Sequence, residues 1–359
     1  MSENTRLLIV DDSALYRQTI TNVLRNTPNV TIVGIARNGR EAIDKIAERD
    51  PDLLTLDVQM PDVDGITVLR EINERGLRPR AVMVSSLTSE GAQITTDALL
   101  EGAFDFILKP TGSDPQANLQ RLQTELEEKI SAFREGHRWR AARARPQRPD
   151  PPTIEVESSV ALAERRACRA VIIGTSTGGP AALKYILPRL PNDFPVPVIV
   201  VQHMPPRYTS SLASRLNESC PMPVAEAADG ATLAPGTVTI ARGGQQMKLV
   251  TKNGATRVRV TDDPPEHGCR PSVDYLLRSA IDVFDGQALA VILTGMGRDG
   301  CEACGQLKQR GGTVFAQHQD GCTVYGMPKA VVEAKLADRV VSLENMSRMI
   351  VRHVRRPRA

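Results

Sequence analysis

Residues 169–180 read Arg-Ala-Val-Ile-Ile-Gly-Thr-Ser-Thr-Gly-Gly-Pro, in which an apolar run passes directly into a glycine-rich turn. A continuously apolar run is typical of a strand that is buried on both faces of a parallel sheet. The glycines permit a sharp turn from this strand into a helix that begins near Ala181. Such a turn would present the Ser176 hydroxyl at the sheet edge and point backbone amides toward a substrate.

Two further apolar runs in the second half of the chain end in polar loops. His203 follows one of them, and Asp299 lies in the glycine-rich segment 294–300 that follows the other. Because parallel strands end at the same edge of a sheet, we expect these two side chains to lie beside Ser176. A serine nucleophile, a histidine base and an orienting aspartate form the catalytic set of serine hydrolases. The backbone amides of Thr177 and Met296, in the two glycine-rich turns, are our candidates for the oxyanion hole.

The turn after Ile173 could instead bind the phosphates of a dinucleotide. That alternative requires an acidic residue about 20 positions further on, at the end of the next strand, where His203 occurs instead. It predicts NAD binding and no requirement for Ser176. The order serine, histidine, aspartate also differs from the order serine, acid, histidine of α/β-hydrolases, which disfavours that family.

The first 130 residues alternate five short apolar runs with stretches of helical periodicity, the last over 116–133, which predicts a parallel, doubly wound α/β sheet. A second alternation begins at Arg169, and Lys252-Asn-Gly-Ala255 predicts the turn of a β-hairpin inserted into it. The proline-rich residues 145–152 cannot continue a helix, because proline lacks the amide donor. We therefore expect a first α/β domain over 1–133, an Arg/Pro-rich linker over 134–168, a second α/β domain over 169–354 and a basic tail over 355–359.

Five polar side chains follow strands of the first half and should meet at one sheet edge. Asp11 and Asp12 follow the first strand, Asp57 the third, Ser85 the fourth and Lys109 the fifth. Crowded carboxylates are costly without a cation, and Mg²⁺ prefers oxygen ligands. The set therefore predicts a metal site with a carboxylate nucleophile for phosphoryl transfer. Taken alone, Asp11 or Asp12 is equally well explained as a helix cap.

With this order and spacing, residues 6–130 resemble the receiver domain of two-component response regulators, which has a flavodoxin-like fold. The resemblance implies that Asp57 is the phosphoacceptor and that a histidine kinase is the phosphodonor. It also implies that Mg²⁺ is bound by Asp12, Asp57 and the carbonyl of Gln59, while Asp11 acts through water.

The same resemblance implies a switch mechanism near the pocket. Ser85 and Phe106 would form the switch pair, and Lys109 would precede a cis peptide bond to Pro110. Phosphorylation of the first domain would then control the second.

The second half resembles the catalytic domain of the chemotaxis protein-glutamate methylesterase family, with a Rossmann-like sheet. The resemblance implies a phosphorylation-controlled serine esterase that hydrolyses glutamate γ-methyl esters on the cytoplasmic domains of chemoreceptors and releases methanol. It also implies deamidation of receptor glutamines, a role in chemotactic adaptation and no cofactor for the ester chemistry. The segments that carry it are Gly174-Thr-Ser-Thr-Gly-Gly-Pro180, Gln202-His-Met-Pro205, Arg270-Pro-Ser-Val-Asp274, Thr294-Gly-Met-Gly-Arg-Asp-Gly300 and Tyr325-Gly-Met-Pro328.

One segment departs from the family pattern. Residues 241–247, Ala-Arg-Gly-Gly-Gln-Gln-Met, have Arg242 and Gln246 where the family commonly has proline and histidine. Both positions lie outside the Ser/His/Asp set, so the departure concerns the substrate side and leaves the expected reaction unchanged.

Composition excludes several other classes of protein. The 359 residues are 41% hydrophobic and 24% charged, which is ordinary for a globular protein of about two domains. The formal net charge is +3, but residues 134–152, with six Arg and two acids, and residues 352–359, with four Arg and no acid, each carry +4. The rest is mildly acidic, so we expect no nucleic-acid partner. The sequence shows neither an apolar leader nor an apolar run of about 18 residues, so we expect a cytoplasmic protein that does not insert into membranes. We also expect a monomer.

The six cysteines are irregularly spaced, unlike the dense framework of a small disulfide-rich domain, and we expect reduced thiols. Cys301 and Cys304 are three apart and would share one face of a helix. A zinc site is therefore an alternative to ordinary core thiols. Its ligands would be Cys269, Cys301, Cys304 and Cys322.

Overall fold

The computed structural model describes residues 4–25, 27–143 and 167–355. The chain divides into two compact units, residues 1–138 and 139–359. Most of the predicted linker and the basic tail from residue 356 onward lie outside the described residues. Among the described helices, none has both the length and the apolar composition needed to cross a bilayer.

The first unit contains a five-stranded parallel sheet with the strand order β2-β1-β3-β4-β5. This is a doubly wound sheet in which the strand order reverses between β1 and β3, and a ligand crevice forms at such a point. The first, third and fourth strands are almost wholly buried, which explains their continuous apolar runs. The strands are β1 Thr5–Val10, β2 Val30–Ala36, β3 Leu53–Asp57, β4 Arg80–Ser85 and β5 Asp105–Leu108.

Among the residues that the structure describes in this unit, five helices connect and cover these strands. Three of them begin at a side chain that accepts a hydrogen bond from the first turn: Asn38, Asp64 and Thr88, as N-cap residues do. The last helix extends ten residues beyond the predicted end at 133, because proline first interrupts the sequence at residue 146. The helices are α1 Ala14–Arg25, α2 Gly39–Arg49, α3 Gly65–Glu74, α4 Ser89–Leu100 and α5 Pro115–Arg143.

The second unit contains a seven-stranded parallel sheet with the order β14-β13-β12-β6-β7-β9-β8, and β10 pairs with β11 in a separate antiparallel hairpin. The strand order reverses between β6 and β12, which are both fully buried. The strands are β6 Ala170–Thr175, β7 Val198–Gln202, β8 Val224–Glu226, β9 Val238–Ile240, β10 Gln246–Lys252, β11 Ala255–Thr261, β12 Ala288–Ile292, β13 Thr313–Gln317 and β14 Arg339–Val341.

The hairpin and its turn are formed as predicted. Lys252 pairs with Ala255, and both residues between them have positive φ, 53° at Asn253 and 74° at Gly254. An Asn-Gly pair adopts this conformation readily, and it matches the twist of the two strands. The hairpin packs on one helix of the unit, where the Leu249 amide donates to Ser279 Oγ at 2.9 Å.

Six helices complete the described part of the second unit. A large apolar core lies between the sheet, the hairpin and these helices, and β6, β7 and β12 contribute residues with no exposed surface. Burial of each Val, Ile or Leu contributes about 1.5–3 kcal/mol, so this core holds the strand ends rigidly in register. The helices are α6 Gly179–Ile186, α7 Tyr208–Ser219, α8 Val273–Phe284, α9 Cys301–Gln309, α10 Met327–Glu333 and α11 Leu343–Val354.

Candidate functional site

Three loops of the second unit meet at the sheet edge where β6 lies between β7 and β12. Ser176 and His203 follow the paired residues Thr175 and Gln202, and the His203 amide donates to the Thr175 carbonyl at 3.1 Å. The loop after β12 approaches so closely that a Cβ atom added to Gly295 would lie 2.8 Å from Ser176 Cβ. The structure therefore places the serine and histidine loops side by side, with the aspartate loop against them.

The Asp299 carboxylate is bound by the N-terminus of α8. Ser272 Oγ and the Asp274 amide donate to Oδ1 at 2.9 and 3.0 Å, and the Val273 amide donates to Oδ2 at 2.7 Å. His203 Nε2 lies 2.8 Å from the same Oδ2. The side chain of Asp299 is only 2% exposed, and the positive end of a helix stabilises a carboxylate. Asp299 is thus an oriented, ionised partner for the imidazole.

Electrostatics couple the two side chains. Burial alone would lower the pKa of His203, but its hydrogen bonds to Asp299 and Cys269 outweigh burial and raise the pKa to about 9. Burial alone would raise the pKa of Asp299, but the His203 hydrogen bond and charge, with the α8 amides, lower it to about 2. Each partner therefore favours the charged form of the other, and His203 must lose its proton before it can act as a base.

The Ser176 hydroxyl is close to the imidazole loop but does not hydrogen-bond to it. Among the described residues, Ser176 Oγ makes no hydrogen bond, and the ring nitrogen of His203 that Asp299 leaves available, Nδ1, lies 3.5 Å from Cys269 Sγ. Hydrogen bonds between nucleophile and base are often long before substrate binds. Thus His203 and Asp299, two members of the predicted set, are hydrogen-bonded to each other, and Ser176, the third, lies on the loop next to His203.

The two candidate oxyanion residues lie in the two glycine-rich loops. The Met296 amide makes no hydrogen bond within the described part of the chain. The Thr177 carbonyl accepts from Thr294 Oγ1 at 2.9 Å, which ties the two loops together. A free amide close to Ser176 is the kind of donor that an oxyanion hole requires.

Sequence reasoning missed the residues that support Asp299. Ser272 lies in the segment 270–274, which was used above only as evidence for the family resemblance. A serine directly before a helix is a local signal for an N-cap, but it does not indicate that the side chain binds Asp299. Gln246 is fully buried, accepts from the Ser272 amide at 2.9 Å and donates to the carbonyls of Pro264 and Cys269 at 3.0 and 3.3 Å. Gln246 therefore stabilises the segment 264–272, which carries Ser272. The sequence had instead suggested that this position faces the substrate.

The other cysteines do not join Cys269. Cys301, Cys304 and Cys322 are buried, and within the described ranges none of them belongs to a cluster with metal-ligand spacing. Burial raises the pKa of Cys301 and of Cys304, which keeps both thiols protonated. The structure does not support the four-cysteine zinc alternative, because Cys269 has metal-ligand spacing with His203 and Asp299 and not with the other three cysteines.

The acidic side chains of the first unit converge at the point where its strand order reverses. Carboxylate oxygens of Asp11, Asp12 and Asp57 lie within 4.8 Å of one another. Lys109 Nζ lies 2.7 Å from Asp57 Oδ2 and 3.0 Å from Asp11 Oδ2. The lysine therefore neutralises part of the charge in this pocket and lies where it can pair with a group on Asp57.

The pocket has the ligand chemistry that Mg²⁺ requires. Asp11 Oδ2 is buried and accepts no hydrogen bond, so its contact with Lys109 Nζ at 3.0 Å is an ion pair only, and every nearby ligand atom in the cluster is a carboxylate oxygen. Burial raises the pKa of Asp57 to about 6, with the Asp11 charge adding to it and Lys109 opposing it. A divalent cation would relieve this crowding. Gln59 is adjacent, and its amide donates to Asp57 Oδ1 at 3.4 Å.

The predicted switch residues lie on the neighbouring strands. Ser85 is buried at the end of β4, where its hydroxyl accepts from Thr95 Oγ1 at 2.8 Å, and Phe106 is half-buried on β5. The expected cis peptide before Pro110 is wrong, because the cis bond within the described residues lies at Arg270–Pro271 instead. The two isomers of an X–Pro bond differ by only about 0.5–1 kcal/mol, so the surrounding structure selects the isomer.

The two sites define the class of protein: an acidic receiver-type unit followed by an α/β unit with serine-hydrolase side chains at its strand ends. Sequence comparison supports both parts. Residues 7–122 match the response regulator receiver domain, and residues 171–350 match the CheB methylesterase family. The chain belongs to the CheB methylesterase family and is a carboxylic ester hydrolase, which confirms the resemblance and the parallel α/β fold inferred from the sequence.

Relatives are similar over nearly the whole chain. A protein-glutamate methylesterase/protein-glutamine glutaminase of Desulfotalea psychrophila is 44% identical over 98% of this chain and 99% of its own length. One of Thermotoga maritima is 40% identical and covers 94% of both chains. The crystal structure of the Thermotoga maritima CheB methylesterase catalytic domain is 41% identical, with a TM-score of 0.51, over 52% of this chain and 98% of that one.

Proposed function

We propose that the protein is a phosphorylation-controlled serine esterase that hydrolyses glutamate γ-methyl esters on the cytoplasmic domains of chemoreceptors and releases methanol. The observation that carries this proposal is the hydrogen bond between His203 and the helix-bound Asp299 beside Ser176. The names of the relatives support both this activity and the deamidation of receptor glutamines. The esterase itself needs no cofactor, since all its catalytic groups are side chains and backbone amides.

In the first step, Ser176 Oγ attacks the ester carbonyl while His203 Nδ1 accepts the hydroxyl proton. Asp299 keeps the proton of the neutral ring on Nε2, where it is hydrogen-bonded, and then stabilises the imidazolium that forms. The oxyanion of the tetrahedral intermediate is bound by the amides of Met296 and Thr177. One such donor contributes about 2.7–4 kcal/mol in another serine hydrolase.

In the second step, the imidazolium returns its proton to the departing methoxide, so methanol leaves and an acyl-serine remains. Water then attacks the acyl group, and His203 accepts the proton of that water. Collapse of the second intermediate yields glutamate and regenerates Ser176. With a glutamine substrate the same sequence releases ammonia in place of methanol.

The first unit would regulate this chemistry through Asp57, which we propose accepts a phosphoryl group from a histidine kinase. Asp12, Asp57 and the Gln59 carbonyl would hold Mg²⁺, with Asp11 acting through water, and the ion would neutralise charge on the phosphoryl oxygens. Lys109 lies 2.7 Å from Asp57 Oδ2, where its cation would pair with the new charge. Ser85 and Phe106 would carry the change away from the pocket.

We also propose domain boundaries, a location and an oligomeric state for the chain. We assign residues 1–133 to the receiver, 134–168 to the linker, whose first ten residues continue α5, 169–354 to the catalytic domain and 355–359 to the basic tail. We propose a cytoplasmic monomer that binds no nucleic acid and does not insert into membranes. Limited proteolysis that cuts first between 144 and 166 would support these boundaries.

Methanol release from membranes that contain methylated receptors tests the proposal directly. Ser176→Ala should abolish the release, because it removes the nucleophile and little packing volume. Ser214→Ala changes an exposed serine on α7 and serves as the matched control. Turnover by folded Ser176→Ala would exclude an acyl-serine mechanism. NAD-dependent activity without a requirement for Ser176 would favour the dinucleotide alternative.

A further inference from the structure

We propose that Cys269 and His203 together bind a borderline-soft divalent cation of the Zn²⁺ type, which reversibly blocks the imidazole. Cys269 Sγ lies 3.5 Å from His203 Nδ1. A tetrahedral zinc with bonds of about 2.3 Å to sulfur and 2.0–2.1 Å to nitrogen holds those two atoms about 3.6 Å apart. The two side chains therefore already have the spacing of two ligands to one zinc ion.

The imidazole is oriented for metal binding. Its Nε2 is hydrogen-bonded to Asp299 Oδ2 at 2.8 Å, so the lone pair of the neutral ring is on Nδ1 and faces the thiol. A carboxylate on the far nitrogen fixes the tautomer of a metal-binding histidine and raises its basicity. Asp299 is itself held by two amides and a hydroxyl of the α8 N-terminus, so this partner does not have to be ordered when the cation binds.

The thiol is held on a supported segment that solvent can reach. Cys269 is partly exposed, its amide and carbonyl both pair with Glu266, and its carbonyl also accepts from the buried Gln246. Within the described residues, His203, Cys269 and Asp299 form one of three groups with metal-ligand spacing, and this group alone contains a thiol.

The ligand types determine which cation binds. Thiolate and imidazole favour Zn²⁺ and Co²⁺ over Mg²⁺, whereas the carboxylate pocket of the first unit favours Mg²⁺. On binding, the thiol releases its proton to solvent as the metal–sulfur bond forms, an imidazolium ring likewise releases its Nδ1 proton to solvent as the metal–nitrogen bond forms, and waters complete the coordination. Nδ1 is then unable to accept the Ser176 proton. This inhibitory consequence rests on the proposed function, but the cation site itself does not.

Cobalt provides a spectroscopic test that does not depend on activity. Co²⁺ is added to the full-length protein in excess Mg²⁺, which occupies the carboxylate pocket. We expect a thiolate-to-cobalt charge-transfer band in the wild type and in Cys220→Ser, which removes another partly exposed thiol, and its loss in Cys269→Ser. Absence of the band from the wild type, or its persistence in folded Cys269→Ser, would overturn the site and leave only a thiol–imidazole hydrogen bond.

Zinc inhibition tests the functional consequence. Loss of even an outer partner of a metal site lowers affinity about 10–100-fold, so Cys269→Ser should raise the Zn²⁺ concentration for half-inhibition at least about tenfold. Each variant is compared with its own zinc-free rate, and EDTA should restore that rate. Equal inhibition of the wild type and Cys269→Ser would contradict the proposal. A cobalt band in a protein without esterase activity would support the site and contradict the proposed function.

Discussion

At the scale of single residues, the decisive contact is between His203 and Asp299. The carboxylate accepts four hydrogen bonds, three from the α8 N-terminus and one from the imidazole. The carboxylate is therefore fixed before substrate arrives. Because it occupies Nε2 of His203, Nδ1 is the ring nitrogen that can accept the proton of Ser176. Pre-organisation of this kind avoids reorganisation during the reaction.

Replacement of Asp299 tests this contact through rate and pH dependence. Asp299→Asn should lower kcat by about 10⁴-fold, since the wrong tautomer is favoured, as in other serine hydrolases. In the wild type, kcat/KM should rise with pH until His203 is deprotonated near its pKa of about 9. A neutral amide in place of the carboxylate cannot stabilise the imidazolium, so the pKa of His203 falls and the rising limb moves to lower pH. An unchanged pH profile would show that Asp299 does not contact the catalytic base.

Ser272 is a positioning residue whose contribution can be separated from simple helix capping. Ser272→Ala removes the donor to Asp299 Oδ1 and the N-cap acceptor of α8, which costs about 0.5–2 kcal/mol of stability. We expect kcat to fall with little change in KM, and the pKa seen in the kcat/KM profile to shift. Ser342→Ala, at the N-cap of α11 where no side-chain cap bond forms, is the control. A stability loss in Ser272→Ala without any kinetic change would reduce its role to capping.

At the scale of elements, the site depends on how closely the loop after β12 approaches the loop after β6. Gly295 allows this approach, since any side chain there would contact Met327 Sδ and Ser176. The order of strands is equally important. Because the order reverses between β6 and β12, a crevice forms outside their carboxyl ends, where Ser176 and Asp299 are located.

Gly295→Ala should displace the serine loop. The new Cβ would lie 2.5 Å from Met327 Sδ and 2.8 Å from Ser176 Cβ, distances that force a shift costing about 1–3 kcal/mol. Activity should therefore fall much more than stability. Gly305→Ala on α9 places its Cβ 3.8 Å from Leu336 and should be tolerated, with about 0.5–1 kcal/mol of added stability. Thermal unfolding and methanol release measure the two effects, and wild-type turnover in Gly295→Ala would contradict the close-approach argument.

At the scale of the whole molecule, two units of different chemistry share one chain. The first concentrates carboxylates around Asp57 and Lys109, and the second brings Ser176, His203 and Asp299 to one edge of its sheet. A receiver has no ester chemistry of its own, and we therefore propose that it controls the second unit.

The prediction at this scale concerns control by phosphorylation. A small phosphodonor should accelerate methanol release by the wild-type protein, whereas Asp57→Ala should show no acceleration over its own donor-free rate. If the receiver restrains the esterase, removal of residues 1–152 should raise the donor-free rate. Thermal unfolding of the 153–359 fragment first establishes whether it folds on its own. A folded fragment no faster than the unphosphorylated full-length protein would indicate activation by positive contacts instead.

Local sequence patterns were sufficient to predict the two parallel α/β sheets, the Asn253–Gly254 hairpin turn and the loops that carry Ser176, His203 and Asp299. These features follow from local periodicity and turn chemistry, and parallel strands bring their ends to one edge. Two features depended on packing between distant segments: the trans bond before Pro110 and the atom that partners each ring nitrogen of His203. Those partners are 96 and 66 residues away, Asp299 on Nε2 and Cys269 beside Nδ1. Contacts over such separations depend on how helices and loops pack on the sheet, and no local pattern encodes that packing.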